Sequence, residues 1–373
     1  MGTKPKPKAR YRLRNWPEYN ASLVRRGSLT LWLDEATIKG WIDSESQMHH
    51  TGRPGHPHRG HPRKYSSTAI RCMLMLRAVF HVPLRAGVGL VQSALRSMGH
   101  EELPVADPST LSRRAATLKL HLPVSLSAHR VSEPLHLVVD STGLKLYGEG
   151  EWKVKKHGWT RHRTWLKLHV GVDADTLELR ALAVSAPEVG DGQALPTLLA
   201  AEHAPLARVT GDGAYESRAC YEAVASRPEK PLAVFPPRRE RRTGQRPRPD
   251  PGHPRASGRR VNHGYSLHTW QHGNCKSNGK AHPLDRDEHV RRIRRVGRRR
   301  WKEEVGYGRR SLVETTISRL KTIFGPSLRS RKLSTQATEV FIRGIALNRM
   351  TALGMPDSYL VENAENAENA ENA

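Results

Sequence analysis

Residues 135–140 read LHLVVD and are followed by Ser141-Thr142-Gly143, so a run of leucine and valine closes on an aspartate and small, turn-prone residues. Working outward, the same texture recurs at Leu166 to Asp173 (LKLHVGVD), Glu178 to Val184 (ELRALAV), Ala207 to Asp212 (ARVTGD) and Leu232 to Phe235 (LAVF). Gln193 to Glu202 and Arg218 to Ser226 lie between the later runs and read as helices. The order strand, strand, strand, helix, strand, helix, strand predicts an α/β domain in which helices pack on a mixed sheet. Two strands are expected to end in aspartate, Asp140 and Asp212, each with a glycine close behind. A carboxylate at the C-terminal edge of a strand faces the crevice where open α/β sheets place their ligands. Aspartate there is also an ordinary turn residue, so the pairing of the two carries the signal.

A third acid stands in Tyr307-Gly308-Arg309-Arg310-Ser311-Leu312-Val313-Glu314-Thr315-Thr316-Ile317-Ser318-Arg319-Leu320-Lys321. At about 100° per residue from Tyr307, a continuous α-helix would put Tyr307, Arg310, Glu314 and Lys321 on one stripe. Leu312, Val313, Leu320, Ile323 and Phe324 fall on a separate arc that can pack against the sheet. The competing reading is a solvated face with an Arg310 to Glu314 pair worth about 0.2 to 0.5 kcal/mol. Two aspartates and a glutamate suit a hard divalent cation such as Mg²⁺, which takes oxygen ligands and keeps room for substrate phosphate. Two such ions about 3.5 to 4 Å apart serve in-line displacement at phosphorus. The chemistry that follows is cutting or joining a phosphodiester, with Arg310 and Lys321 placed to hold DNA phosphates.

Charge points the same way. The chain has 373 residues, room for two or three domains, and carries 62 Lys and Arg against 36 Asp and Glu, a net +26. A polyanionic partner, nucleic acid, is the first expectation. The excess is uneven: Val131 to Phe235 holds 12 basic and 14 acidic residues, whereas Pro236 to Arg310 holds 22 and 7. The latter begins RRERRTGQRPRPDPGHPRASGRR, which has no apolar period and reads as an exposed insertion or partly disordered arm. Three widely spaced cysteines, Cys72, Cys220 and Cys275, make no disulfide framework and suit a reducing, cytoplasmic setting. The N-terminus lacks the apolar core of a signal peptide. The apolar stretch Ala69 to Val91 is interrupted by Arg71, Arg77 and Arg85, so no membrane span is expected.

Upstream of the sheet, apolar residues recur at helical spacing from Ser66 to Gly99, with a break near Pro83. Then comes Asp107-Pro108-Ser109-Thr110-Leu111-Ser112-Arg113-Arg114, where Asp107 or Ser109 can cap a short basic helix. Helices, a turn and a basic helix suggest a helix-turn-helix that enters the major groove, with Ser109, Arg113 and Arg114 as DNA contacts. An ordinary helical bundle with a basic face is the alternative. The division expected is an N-terminal arm and basic linker (1–65), a helical DNA-binding region (66–130), the first part of the catalytic domain (131–235), a basic insertion (236–306), catalytic and C-terminal helices (307–358) and a low-complexity tail (359–373).

Taken together, these residues resemble those of bacterial insertion-sequence DDE transposases of the IS-five family. The third-acid motif of that family is matched in full by Tyr307, Arg310, Glu314 and Lys321, and its two aspartates correspond to Asp140 in VVDSTGLK and Asp212 in GDGAYES. The resemblance extends to YRLRNWPEYNASLVRRGSLTLW, DPSTLSRRAATL, GEGEWKVKKHGWTRHRTWLKLHVGVD, RDEHVRRIRRVGRRRWKEE and LNRMTALGMPDS. It implies an RNase H-like catalytic fold, with the strands of Asp140 and Asp212 adjacent and the Glu314 helix crossing nearby. It also implies a nucleoid-associated enzyme that uses Mg²⁺, or Mn²⁺ in its place. Such an enzyme binds the terminal inverted repeats as a homo-oligomer, cuts double-stranded DNA at the element ends and joins the freed 3′-hydroxyls to target DNA. The rival readings are a DNA-binding repressor derived from a transposase and a metal-dependent nuclease without strand transfer.

Three weaker constellations have competing readings. His268, His272, Cys275 and His282 have a spacing zinc could use, but lack the tight pairs of structural sites. His49, His50, His56, His58 and His61 read as a basic strip. Trp152, Trp159 and Trp165, set among Lys153, Lys155, Lys156, Arg161 and Arg163, are either base-stacking residues or core.

Overall fold

A computed structural model describes residues 10–43, 64–122, 133–146, 165–237 and 285–361. The histidine strip, the possible zinc ligands, Trp152, Trp159 and the repeated ENA triplets lie outside the described residues. The strands among them are β1 (Arg10–Leu13), β2 (Leu135–Leu146), β3 (Trp165–Asp173), β4 (Leu179–Ser185), β5 (Leu206–Thr210), β6 (Leu232–Val234), β7 (Ser327–Leu328) and β8 (Ser358–Val361). The chain divides into two compact units, one made of residues up to Leu120 together with those from Thr338 on, the other of His121 to Ala337.

The first unit is helical apart from a two-stranded antiparallel ribbon of β1 and β8, in which Tyr11 faces Leu360 and Leu13 faces Ser358. Asn15 fastens its end, donating to Met355 O at 2.9 Å and accepting from the Asp357 N–H at 2.7 Å. Ser66 caps the helix Ser67–Val79 by accepting from the Ala69 N–H, and that helix buries Ile70, Met73 and Leu76. Trp32 and Trp41 are fully buried in the same unit, each indole N–H satisfied by a backbone carbonyl. Pro83 cannot donate to a continuing helix, and the next helix, Leu84–Ser97, leaves at 110° to the first. No single helix among the described residues is long and apolar enough to cross a membrane. The helix Pro108–Thr117 begins with proline at its first position, where the missing N–H costs nothing, and Asp107 accepts from the N–H groups of Ser109 and Thr110.

The second unit is the expected α/β domain. Its sheet runs β4-β3-β2-β5-β6, with β7 also paired to β2. The β4-β3-β2 part is antiparallel and the β2-β5-β6 part parallel. One face buries Leu137 and Val139 against Leu195, Leu198 and Leu199 of the helix Asp191–Ala201 and Tyr221 and Val224 of the helix Arg218–Ala225. Alternation sends the next residues of β2, Val138, Asp140 and Thr142, to the opposite face.

One expectation changes here. Asp140 does not end its strand: β2 continues six residues beyond it, because β3 stays in register from Asp173 opposite Leu137 to Trp165 opposite Lys145. Past Asp140 the strand is wanted for pairing, and Gly143 is wanted for clearance, since a Cβ there would lie 3.1 Å from the Trp165 ring. The last part of the basic segment is ordered into the helices Asp285–Val296 and Arg298–Glu304. Asp285 accepts from the Ala233 N–H at 2.8 Å and His289 Nε2 bonds Ala233 O at 2.8 Å, which docks the first of these helices on β6.

Candidate active site

The parallel pairing of β2 with β5 sets Val138 against Thr210. Two residues farther along each segment stand Asp140, within β2, and Asp212, in the turn that follows β5; paired strands run about 4.8 Å apart. Asp212 is two residues beyond the end of β5 and accepts from the Ala214 N–H at 2.8 Å, which starts the short 3₁₀ turn Gly213–Tyr215. Asp140 accepts from the Ser141 N–H at 2.7 Å. Both carboxylates are therefore held by local backbone, and both remain partly accessible.

The third acid arrives on the helix Ser311–Phe324, which buries Val313, Thr316, Ile317, Leu320 and Phe324. The continuous α-helix expected from Tyr307 is not formed. Tyr307–Arg310 is a 3₁₀ turn, introduced by Gly306 in the left-handed region at φ 59°. Tyr307 packs on Trp301, ring centroids 6.1 Å apart, with Lys302 Nζ 5.1 Å above its ring. Arg309 secures the same turn by donating to Ala174 O at 2.8 Å and pairing with Asp175. Beyond the turn the three remaining motif residues do converge. Arg310 ion-pairs with Glu314 and reaches Asp140 at 3.6 Å, and Lys321 Nζ donates to Thr142 Oγ1. Asp140, Thr142, Glu314, Ser318 and Lys321 line a cavity of about 490 Å³.

Electrostatics tie the acids together. Burial pushes the Asp140 carboxyl above the usual carboxylate range; the charges of Asp212 and Glu314 push the same way, and the Ser141 N–H and Arg310 only partly oppose them. Burial lowers the Lys321 ammonium from its ordinary value. Tyr307 is raised, first by burial and then by Asp212 and Asp140. An all-oxygen donor set carrying mutually repelling negative charge matches what a hard divalent cation requires. Asp140 and Asp212 both offer carboxylate oxygen, the donor type such an ion takes. As placed, no three His, Cys, Asp and Glu side chains among the described residues stand close enough to enclose one, and Glu314 is drawn to Arg310.

In the helix Pro108–Thr117, Arg113 is exposed and donates to Thr110 Oγ1 of its own turn at 3.2 Å. Arg114 is turned inward, donating to Tyr65 O at 2.9 Å. Ser109 is exposed and donates to Asp107 Oδ1 at 2.6 Å, so the cap is Asp107. These residues belong to the first unit, the acids to the second.

Residues not picked out in the sequence sit behind the acids. Asp191 pairs with Lys167 at 2.7 Å and lies 3.8 Å from His169 Nδ1. Burial alone would raise Asp191, but Lys167 and Ser141 outweigh it and hold the carboxyl below its ordinary value. Tyr215 is fully buried beside them, and its hydroxyl is raised by burial and then by Asp191, Asp140 and Asp212. The one signal available was Gly190-Asp191-Gly192 at the head of a helix, which reads as capping.

Two family models, each described as a transposase DDE domain, match this chain, one over residues 24–149 and the other over residues 132–349, more than half its length. No solved structure matches it.

Proposed function

The chain belongs to the DDE-domain transposases of insertion sequences, and from that premise we propose that it binds the terminal inverted repeats of its own element, cuts at the ends and joins the freed 3′-hydroxyls to target DNA. The observation that carries the reading is the parallel pairing of β2 with β5, which sets Asp140 two residues past Val138 and Asp212 two residues past its partner Thr210, with Arg310 linking Asp140 to Glu314. Placement within the IS-five group rests on the spacing of Tyr307, Arg310, Glu314 and Lys321. The strand order supports an RNase H-like domain.

Asp140 and Asp212 would hold the divalent cation, Mg²⁺ or Mn²⁺, with Glu314 completing the set once Arg310 turns away. When bound, the cation supplies charge to activate the attacking oxygen and steady the leaving one. Arg310 is the natural switch: it pairs with Asp140 and Glu314, and its guanidinium would take a phosphate as a bidentate fork on leaving them. Lys321, half-buried and anchored on Thr142, sets a positive charge on the wall of the cavity that also holds Asp140. Tyr307 acts chiefly by packing, since its ring is wedged on Trp301. In the first unit, Arg113 is the side chain free to read a base edge, with Ser109 exposed beside it. We place the protein in the cytoplasm on the nucleoid, working as a homo-oligomer on DNA.

The test is cleavage of a duplex bearing an element end. Asp140→Ala, Asp212→Ala and Glu314→Ala should each lose Mg²⁺-dependent cleavage while end binding stays close to normal. Near-normal cleavage by Asp212→Ala removes that residue from the chemistry. Absence of cleavage by the unaltered chain favours the repressor reading. Cut ends that are never joined to a second DNA favour the nuclease.

A further inference from the structure

Behind Asp140 and Asp212, on the opposite face of the sheet, the first two residues of the helix Asp191–Ala201 touch the supports of both. Toward β2, the cross-strand partners Ser141 and His169 share a face with Lys167. Lys167 Nζ lies 2.7 Å from Asp191 Oδ1 and donates to Val189 O at 3.1 Å. The Ser141 hydroxyl faces Asp191, while the Ser141 N–H donates to Asp140. Toward β5, Gly192 abuts the turn that follows Asp212: a Cβ on Gly192 would stand 2.9 Å from Cys220 Sγ and 3.6 Å from Ala214 O. Cys220 Sγ also donates to Gly192 O at 3.4 Å. Ala214 in turn supplies the N–H that holds Asp212. The hydroxyl of Tyr215, His169 Nδ1 and Asp191 Oδ1 are buried without a hydrogen-bond partner in this region, Asp191 Oδ1 keeping its ion pair with Lys167. The packing thus tolerates polar atoms without hydrogen bonds, which costs free energy.

We propose that Asp191 and Gly192 form a wedge that fixes the separation of Asp140 and Asp212, and through it the affinity of that pair for a divalent cation. The inference rests on the reading of those aspartates as cation ligands. Neither residue reaches the reacting groups; both are positioning residues, acting through Ser141 on one side and through Ala214 on the other. Outer partners of this kind commonly govern metal affinity about ten- to a hundred-fold.

The experiment is a titration of the full chain, free of DNA, with Mn²⁺, following the signal of unbound Mn²⁺ by electron paramagnetic resonance. Asp140→Asn is the control and should abolish tight binding. Asp191→Asn should weaken binding by about ten-fold or more, keep DNA affinity near that of the parent, and regain cleavage when Mg²⁺ is raised, while the loss of the Lys167 pair lowers the metal-free thermal midpoint. Gly192→Ala should also weaken binding. If Asp140→Asn loses Mn²⁺ while Asp191→Asn binds it normally, the wedge is overturned and the ligand assignment survives. If neither change affects Mn²⁺, the ligand assignment fails and takes the wedge with it. Should Asp191→Asn fail to fold, Ser141→Ala leaves the Lys167 pair in place and removes only the hydroxyl between it and Asp140. That variant should bind Mn²⁺ several-fold more weakly, and normal affinity would overturn the proposal.

Discussion

The surroundings of Asp140 oppose its ionisation. Its folded-state pKa lies above the ordinary 3.8, first through burial and then through Asp212 and Glu314. An acid whose pKa rises on folding destabilises the fold where it is charged and costs nothing where it is protonated. The penalty is thus absent below about pH 3.8 and grows as pH climbs through the raised value. Asp140→Asn should therefore raise the metal-free thermal midpoint at pH 7, and the gain should vanish near pH 3.8. An equal gain at both values would show a packing effect instead. Arg113 and Arg114 are adjacent in sequence but differ in employment. Arg113→Ala should leave stability within about 0.5 kcal/mol, as at other exposed sites. If it reads a base, discrimination between end and random DNA should fall by about 1 to 3 kcal/mol. Arg114→Ala should in addition loosen the unit, because it removes the bond to Tyr65 O. Denaturant melts beside binding curves on both duplexes separate the two effects.

Among the elements, the helix Arg298–Glu304 carries the most weight for its size. Trp301 is fully buried, donates from Nε1 to His289 Nδ1 at 3.2 Å and backs the turn that leads to Arg310. That leaves His289 Nε2 to carry the ring proton and donate to Ala233 O. Trp301→Ala should cost about 3 to 5 kcal/mol in a denaturant melt and lower cleavage more than DNA binding, since it frees the third-acid segment. The histidine is held below its ordinary 6.5, chiefly by burial. This anchor is therefore intact above pH 6.5 and lost as pH falls through the lower folded value. None of that coupling is legible in the sequence, where His289 and Trp301 sit in a run of arginines. The strands were legible because leucine and valine cluster in them; of the expected stripe only Glu314 and Lys321 share the helix, because Gly306 turns the chain and leaves Tyr307 and Arg310 in a 3₁₀ turn. Asp140 within its strand was not legible, since only pairing with β3 keeps the chain extended past it. Asp191 was invisible for a similar reason, as its partner Lys167 comes from another strand.

For the molecule as a whole, the net +26 sets a salt-dependent affinity for DNA. Changing Arg294, Arg295, Arg298 and Arg299 together to Ala should weaken binding to end and random duplexes alike. Each lost phosphate contact should reduce the slope of log affinity against log salt by about 0.9. Arg298 also donates to Pro237 O and Arg299 pairs with Glu303, so the full four-contact change is an upper limit. An unaltered slope across a salt series would remove these helices from the phosphate interface. The ribbon of β1 and β8 has a bearing on synthesis. Leu360, which Tyr11 faces, leaves the ribosome some 350 residues after it. At about 5 to 20 residues per second, the segment from His121 to Ala337 has emerged and can fold while β1 still waits for β8, an interval of roughly 20 to 70 s. The unit that holds the carboxylates is thus available ahead of the closed ribbon, and a chain stopped short of Ser358 would carry the former without the latter.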